Sequence, residues 1–581
     1  MKRCPQCRRD YTDETLNFCL DDGATLLDGP GVLSDPATAI LPEFEVPPSS
    51  ESATRQQIHT TIPEAEPPST LGSSPERQSL RAAEPKAGLI NRRFAFLIVI
   101  VCIALGGFFG YRYFASSNSK QVESIAVMPF VNDSGNPDIE YLSDGMTETL
   151  ISSLTQLPNL SVKARSSVFR YKGKETDVKT LGKELNVQAI LNGRVSQRGD
   201  QLTLNLELVD VQTENAIWSQ QYSRKQSDIV SLQSQIAKEV STKLKAKLSG
   251  AEETSVTRPA TENPEAYQAY LKGRFYWNQR GQGLGKLETA IEQFRLAANK
   301  DPNYALAYAG LADCYALMPQ ETGVSPTEAL PQAKAFANRA LEIDESLSEA
   351  HATLGLINQS LWQWADAQKE FERSIELNPN YPTAHQWYSG HLGVMGRSEE
   401  RFGEIRKAYE LDPLSPVISI NMGLAHLERK EWSAAAEQFN KTLEMSPNYF
   451  VAHAELATAL LRLGKLNEAL LEAQRSAELS KRHSFSLSVL GQVTAASGNR
   501  NDALALIKEI EQKPIKGESD KFFIAAIHAG LGDRDEAFAW LEKSFKEHNT
   551  AMTNLRIDPF FESLSDDPRF KDILRRMGLP E

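Results

Sequence analysis

Residues 351–379 read HATLGLINQSLWQWADAQKEFERSIELNP, and the outline of this stretch recurs further along the chain. Its closing Asn378-Pro379 is followed, at intervals of 34 residues, by Asp412-Pro413 and Ser446-Pro447. A fixed period of this length is typical of stacked helix pairs, each of which is too small to bury its apolar face alone. The C-terminal half of the chain is therefore predicted to be an all-α superhelical solenoid.

The repeated unit resembles the tetratricopeptide repeat (TPR), whose internal markers occur at the expected offsets. Small residues at these markers let paired helices approach, and an aromatic residue fills the gap between neighbouring pairs. The pattern predicts about eight repeats over residues 262–548, and residues 549–581 resemble the capping end of such arrays. The markers that carry the resemblance in the quoted repeat are Leu354-Gly355, Ala367, Phe371 and Ser374.

The resemblance implies a groove that is lined by the first helix of each pair and that binds a peptide or a partner protein. The polar positions expected to face it are Glu349, Gln359, Gln386, Glu428 and Arg462. They are interleaved with Val417, Ile420 and Leu424. Such a mixed lining favours an extended peptide with polar and apolar anchors.

Three histidines recur at one position of the repeat, namely His351, His385 and His453. Equivalent positions in stacked helix pairs lie about 10 Å apart, which is too far for the histidines to share one metal ion. They are predicted to pack at a helix face.

Residues 121–250 alternate between strand-like and helix-like patterns, which predicts an α/β domain. Strands are expected at residues 124–130, at 160–169 and on both sides of the hairpin signal Gly199-Asp200. Several separated motifs, beginning with IAVMPFVNDSGNPDIEYLSDGMTETLISSL at Ile125, resemble the TolB-like amino-terminal domain. That resemblance implies an interaction module, often placed between a membrane helix and a helical-repeat array.

An uncharged stretch, FAFLIVIVCIALGGFFGY at residues 94–111, predicts one transmembrane helix over residues 92–114. Eighteen residues reach about 27 Å, enough to cross the hydrocarbon core once flanking arginines extend to its surfaces. More Lys and Arg residues precede the stretch than follow it. The bias predicts a cytoplasmic N-terminus in the inner membrane, with the α/β domain and the repeats outside the cytoplasm.

Residues 1–26 contain Cys4-x-x-Cys7 and a second half-motif, and they resemble a zinc ribbon. Its last cysteine is replaced by Asp22, and a carboxylate can also ligate zinc. The predicted structural zinc ligands are Cys4, Cys7, Cys19 and Asp22. The alternative is a degenerate ribbon that has lost its metal. Residues 27–90, rich in Pro, Ser and Glu, are predicted to be a disordered linker.

The composition limits the function. A formal net charge of −13 argues against a phosphate-binding surface, and no catalytic constellation with supporting context occurs in the sequence. Ser166 and Ser167 lack the GxSxG elbow that would present a hydrolase nucleophile. The resulting hypothesis is a non-enzymatic, membrane-anchored scaffold or signal-coupling protein. The alternative is a transmembrane regulator whose zinc-ribbon head contacts nucleic acid or the transcription machinery.

Overall fold

The structure, a computed structural model, describes residues 2–3, 10–11, 27–28, 122–157, 159–244, 259–279, 285–322, 324–513 and 519–580. The chain divides into two compact units, residues 1–101 and 102–581. In the first unit, three short strands form an antiparallel sheet with β1 in the centre: β1 Lys2–Arg3, β2 Asp10–Tyr11 and β3 Leu27–Asp28. The predicted zinc ligands, the linker beyond Asp28 and the predicted membrane segment lie outside the described residues. Within those residues, no helix combines the length and the apolar character that crossing a membrane requires.

The second unit begins with an α/β domain built on a six-stranded sheet of order β6-β4-β7-β8-β9, in which β5 also pairs with β7. The strands are β4 Ser124–Val127, β5 Val131–Asn132, β6 Ser161–Val162, β7 Ala189–Arg198, β8 Gln201–Asp210 and β9 Ala216–Lys225. Strand β4 runs parallel to β6 and β7, whereas β7, β8 and β9 are antiparallel. Gly199, at φ +60°, forms the turn between β7 and β8, as the hairpin signal predicted.

Side-chain patterns account for these strands. Ile125, Ala126 and Val127 are all fully buried, as expected for a parallel strand inside the sheet. Strand β8 instead alternates, burying Leu202, Leu204, Leu206 and Leu208 on one face.

In the part of the domain that the structure describes there are four α-helices: α1 Glu140–Thr155, α2 Arg165–Phe169, α3 Val178–Leu185 and α4 Ile229–Lys243. The strand predicted at residues 160–169 is mostly wrong, because only Ser161–Val162 is strand and α2 follows it. The hydroxyls of Ser166 and Ser167 in α2 donate to Asp412 of the helical array. This distant contact outweighs the local strand propensity.

The rest of the second unit is a TPR solenoid, with eight helix pairs in the described residues. They are α5 Pro264–Trp277 and α6 Lys286–Lys300, α7 Ala305–Thr322 and α8 Pro326–Ile343, α9 Ser348–Ser360 and α10 Trp364–Leu377, α11 Pro382–Val394 and α12 Ser398–Leu411, α13 Pro416–Glu428 and α14 Trp432–Met445, α15 Phe450–Arg462 and α16 Leu466–Leu479, α17 Ser484–Ala496 and α18 Arg500–Glu511, and α19 Asp520–Leu531 and α20 Arg534–Lys546. Short 3₁₀ helices at Thr550–Asn554 and Pro559–Leu564, and helix α21 Pro568–Arg576, follow.

The glycine and aromatic markers of the repeat pack directly on one another. Phe371 is fully buried, and a Cβ at Gly355 would lie 2.6 Å from its ring. Phe439 and Gly423 make the same contact two repeats later, at 2.3 Å. Any larger residue at these glycines would push the two helices of the pair apart.

Candidate binding cavity between the α/β domain and the helical repeats

Helix α1 of the α/β domain lies against α5, the first helix of the array. A Cβ at Gly145 would come within 2.8 Å of Leu271, so the missing side chain lets the two helices approach. One turn further along α1, the hydroxyls of Thr149 and Tyr267 are 3.0 Å apart. The array therefore holds the domain through the side of its first helices, the side that lines the inner face of such a superhelix.

Turns between later repeats extend this interface. The amide Nδ2 of Asn380 donates to the carbonyls of Thr155, Leu157 and Leu160, at 3.4, 3.2 and 3.4 Å. These carbonyls belong to the end of α1 and the segment that follows it, where helical partners are absent. Lys163 Nζ donates to the carbonyl of Glu410 at 3.3 Å. The contacts thus run from the first repeat to the turn before the fifth.

A cavity of about 770 Å³ remains between the domain and the array. That volume falls within the range of sites that enclose small organic molecules. Its walls come from helix α1 on one side and from the first helices and turns of the array on the other. Aromatic side chains provide much of the surface, and they include Tyr267, Tyr270, Tyr304, Tyr381, Trp387 and Tyr449.

A charged network surrounds Glu148 at one side of the cavity. Its carboxylate lies 2.6 Å from Arg274 Nη2 and 3.0 Å from Arg165 Nε, and it accepts a hydrogen bond of 2.7 Å from Asn278 Nδ2. Burial alone would raise the pKa of Glu148, but Arg274 and Arg165 bring that pKa below its ordinary value. Arg274 Nη1 also lies 3.7 Å from Asp313. Both guanidinium groups are therefore neutralised by carboxylates of the chain itself.

Glu349 lines the same cavity, but it makes no ion pair among the described residues, and Arg274 acts on it only at longer range. Its Oε1 accepts one long hydrogen bond, 3.4 Å, from the hydroxyl of Ser152, and its Oε2 has no partner among the described residues. Burial raises the pKa of the Glu349 carboxyl. Tyr304, fully buried, also has a hydroxyl without a partner in the described part of the chain. Two residues that line the cavity, Glu349 and Tyr304, thus each carry a polar atom that no described group satisfies.

The polar residues predicted to line the groove lie in different surroundings. Glu349 and Gln386 line the cavity, facing the α/β domain. Glu428 is engaged inside the array, where it lies 2.6 Å from Arg401 Nη1. Arg462 donates to the carbonyl of Pro559 and lies 3.3 Å from Glu562, so it holds the C-terminal segment.

The apolar members and Gln359 differ in exposure. Val417 is 43% exposed, Ile420 is buried and Leu424 is half-buried. The side-chain oxygen of Gln359 is buried and has no hydrogen-bond partner in the described residues. The inner face is thus largely occupied by the chain's own α/β domain and C-terminal segment. Val417 is an exception to this coverage.

Several residues that line the cavity were not predicted from the sequence. Glu148 and Arg274 come together only because two separate domains pack, and no local pattern indicates that. The tyrosines did carry a signal, since the turns DPNY, NPNY and SPNY end at Tyr304, Tyr381 and Tyr449. All three tyrosines line the cavity.

Comparison with known families bears on the α/β domain. Residues 120–239 match the family described as the second domain of HilA/YgeH-like transcriptional regulators. The transcriptional regulator HilA of Salmonella typhimurium is 28% identical over 149 residues, which cover 26% of this chain and 27% of HilA. The TolB-like resemblance of this domain stays a prediction.

A putative adenylate cyclase 3 of Rhizobium meliloti is 34% identical over 236 residues, which cover 40% of this chain and 40% of that protein. The type IV pilus assembly protein PilF of Pseudomonas aeruginosa is 29% identical over 133 residues, covering 22% of this chain and 53% of PilF. A solved structure of PilF from Pseudomonas aeruginosa has 24% identity and a TM-score of 0.29, and it covers 35% of this chain and 92% of that one. The chain thus spans less than half the length of HilA and of the putative adenylate cyclase, and about half the length of PilF. The repeat array is a TPR solenoid, and residues 120–239 are similar to the second domain of HilA/YgeH-like regulators.

Proposed function

We propose that the chain is a non-enzymatic scaffold that binds partner proteins or peptides through its TPR array and its α/β domain, and that a helix at residues 92–114 anchors it in the inner membrane. The first part follows from the repeat architecture, whose inner face is a general binding surface for proteins. The second part rests on the apolar sequence of residues 94–111.

One observation carries the scaffold function: the array already binds a folded domain with its first helices and its turns. Tyr267, Asn380 and Asp412 contribute hydrogen bonds to this contact from three different places in the solenoid. A surface that holds the chain's own domain by polar side chains is suited to recognising protein surfaces in general. Val417, which is exposed and lines the cavity, lies where a partner would extend that contact.

Site-specific photocrosslinking in living cells tests this function. A photoreactive phenylalanine analogue at Val417 is expected to give discrete protein adducts. The same analogue at Leu471 is the control, because Leu471 is 65% exposed but lies on α16, a second helix of its pair. Adducts at Val417 that are absent at Leu471 support the scaffold. Identical adduct patterns, or none at Val417, would reject it.

Anchoring and topology need a separate experiment. A tag after Glu581 is expected to be cleaved by protease in cells with a permeabilised outer envelope and an intact inner membrane. Protection of the tag, with cleavage after lysis, would place the array in the cytoplasm instead. Recovery of the protein in the soluble fraction would reject the anchor.

The zinc site is proposed on the chemistry of its ligands alone. Cys4, Cys7, Cys19 and Asp22 offer three thiolates and a carboxylate at a zinc-like spacing. Purified protein is expected to hold one zinc ion per chain, and a chain with Cys19→Ser is expected to hold much less. The similarity to transcriptional regulators covers residues 120–239 and not this head, so it gives no support to the alternative in which the head contacts nucleic acid.

A further inference from the structure

We propose that the cavity between helix α1 and the first helices of the array binds a small organic cation with an aromatic body, whose ammonium group pairs with Glu349. This binding site is additional to the scaffold function. Val417 lines the same cavity, but the crosslinking experiment detects protein adducts, whereas the experiment below detects a small amine. The binding site can therefore fail its test while the partner-binding role stands.

The charges of the side chains that line the cavity favour a cationic ligand. Arg165 and Arg274 are both committed to Glu148, and Arg274 also lies near Asp313. Glu349 makes no ion pair with any basic side chain of the described residues, and its Oε2 has no partner there. The nearby cation that acts on Glu349 is Arg274, which already pairs with Glu148 and Asp313. A buried carboxylate so weakly compensated costs free energy that a bound ammonium would recover. An anionic ligand would instead add to the excess of carboxylates.

The aromatic side chains that line the cavity favour an organic ligand with an aromatic group. The rings of Tyr270 and Tyr304 have centroids 5.2 Å apart, and both rings line the cavity. Tyr381 lies close enough to Glu349 and Asp313 for both carboxylates to raise its pKa in addition to the effect of burial. Aromatic faces near a carboxylate attract an ammonium ion, and they also stack on a ring attached to it.

The unpartnered hydroxyl of Tyr304 gives a second, independent indication of a ligand. The residue is fully buried, so no bulk water reaches this hydroxyl, and no described group accepts or donates to it. Buried hydroxyls are normally hydrogen-bonded. Neighbouring atoms cover this hydroxyl and Oε2 of Glu349, so a ligand would reach them through a small movement of the lining side chains and would then satisfy both.

A bare metal ion does not fit these observations. In the ranges that the structure describes, no group of three or more His, Cys, Asp or Glu side chains is placed to hold a metal. The volume of about 770 Å³ also far exceeds what an ion needs, whereas it accommodates an arylalkylamine.

Calorimetric titration of the full-length protein tests the proposal with matched probes. Tryptamine, tyramine and phenethylamine are each compared with the corresponding alcohol, which keeps the ring and chain but replaces the ammonium with a hydroxyl. At least one amine is expected to bind about tenfold or more tightly than its alcohol, equivalent to ~1.4 kcal/mol. Equal affinities in every pair, or no binding of any amine up to about 1 mM, would overturn the proposal.

Two variants locate the site. Glu349→Gln is expected to abolish the preference for the amine, whereas Glu345→Gln, an exposed carboxylate earlier in the same repeat, is expected to keep it. Tyr304→Phe removes only the unsatisfied hydroxyl, so it should fold normally and bind the amine several-fold more weakly. If Glu349→Gln fails to fold, the affinity of Tyr304→Phe for the amine tests whether the amine binds in this cavity. An unchanged affinity in Tyr304→Phe would show that the amine binds elsewhere.

Discussion

Arg274 Nη2 lies 2.6 Å from Glu148 Oε1, and this ion pair joins the first helix of the array to helix α1 of the α/β domain. Arg165 approaches the same carboxylate from the other side. The substitution Glu148→Gln would remove the carboxylate that the two guanidinium groups share, and Arg274 would keep only the more distant Asp313, at 3.7 Å. It is expected to destabilise the protein by ~3 kcal/mol, because removing one member of a buried ion pair leaves an uncompensated charge.

Urea unfolding measures this loss of stability, and two further variants serve as references. Glu376→Gln disrupts an exposed pair with Arg373 and should cost at most ~1 kcal/mol. The double variant Glu148→Leu with Arg274→Met should recover part of the loss, since apolar side chains can replace a buried pair. Equal, small losses for Glu148→Gln and Glu376→Gln would show that the pair does not hold the two domains together.

Asn380 offers a second test of the same interface. Its side chain donates to the carbonyls of Thr155, Leu157 and Leu160, of which Leu157 also accepts from the amide of Leu160. Asn380→Ala should therefore remove hydrogen bonds from all three and cost ~1–3 kcal/mol. Asn448 occupies the same place in the turn SPNY but is exposed, and it provides a matched control. Thermal unfolding of both alanine variants is the measurement. A loss at Asn448 equal to that at Asn380 would assign the effect to the turn itself.

The sequence predicts the array well because its signal is periodic and local. The contact of Phe371 with Gly355 recurs in Phe439 and Gly423, so spacing alone indicates the helix pairs. The turn inside each of the third to eighth pairs contains a residue at positive φ. Four of these residues are glycines at positions that differ by multiples of 34, namely Gly396, Gly464, Gly498 and Gly532.

Two non-glycine residues occupy this same turn in other repeats, and their contacts could not be predicted from the repeat pattern. Trp362 and Lys430 adopt φ +59° and +60°, a conformation that glycine would hold more easily. Trp362 stacks on His548 with ring centroids 4.4 Å apart, and Lys430 Nζ lies 2.7 Å from Glu562. Both therefore contact the C-terminal region. Such long-range docking, like the cavity itself, depends on how distant segments pack and has no local pattern.

The recurrent histidines make a hydrogen bond between the two helices of their own repeat. His453 Nδ1 lies 2.5 Å from Glu472 Oε2, and His351 and His385 pair in the same way with Glu370 and Glu404. The hydrogen bond with Glu472 raises the pKa of His453 above its ordinary 6.5, although burial opposes the rise. The folded state therefore binds this proton more tightly than the unfolded state does. The resulting stabilisation is fully present below about pH 6.5 and is lost as the pH rises through the folded pKa.

Glu472→Gln is accordingly expected to lower stability at pH 6 by ~1 kcal/mol or less and to have a smaller effect at pH 8.5. The measurement is the difference in Tm between the variant and the natural sequence at each pH. Glu478→Gln, which alters an exposed pair with Arg475 on the same helix, is the control. A Glu472→Gln effect that is the same at both pH values would contradict the assignment to His453.

The C-terminal segment brings the carboxyl of Asp558 close to that of Glu455, and both residues are half-buried. Burial raises both of their pKa values, whereas a hydrogen bond raises that of His453. Burial raises the pKa of Glu455 to about 8, and the neighbouring Asp558 adds to the rise. Burial also raises the pKa of Asp558 to about 6, while Arg462 and the amide of Phe560 oppose that change. Because the folded state holds these protons more tightly, stability should fall as the pH rises from about 4.5 to about 8.

Glu455→Gln removes the ionisable group while keeping its shape, so it should raise the Tm at pH 8 by a few degrees and flatten the fall between pH 5 and pH 8. At pH 5, where the Glu455 carboxyl is already protonated, the variant and the natural sequence should melt alike. Glu444→Gln, on the exposed side of α14, should change neither the Tm nor its slope. The ionised pair would weaken the docking of residues 558–562 first, so protease sensitivity of the C-terminal segment should increase with pH in the natural sequence alone. A Tm at pH 8 that does not respond to Glu455→Gln would mean that these two carboxyls do not oppose the closure of the C-terminal segment onto the array.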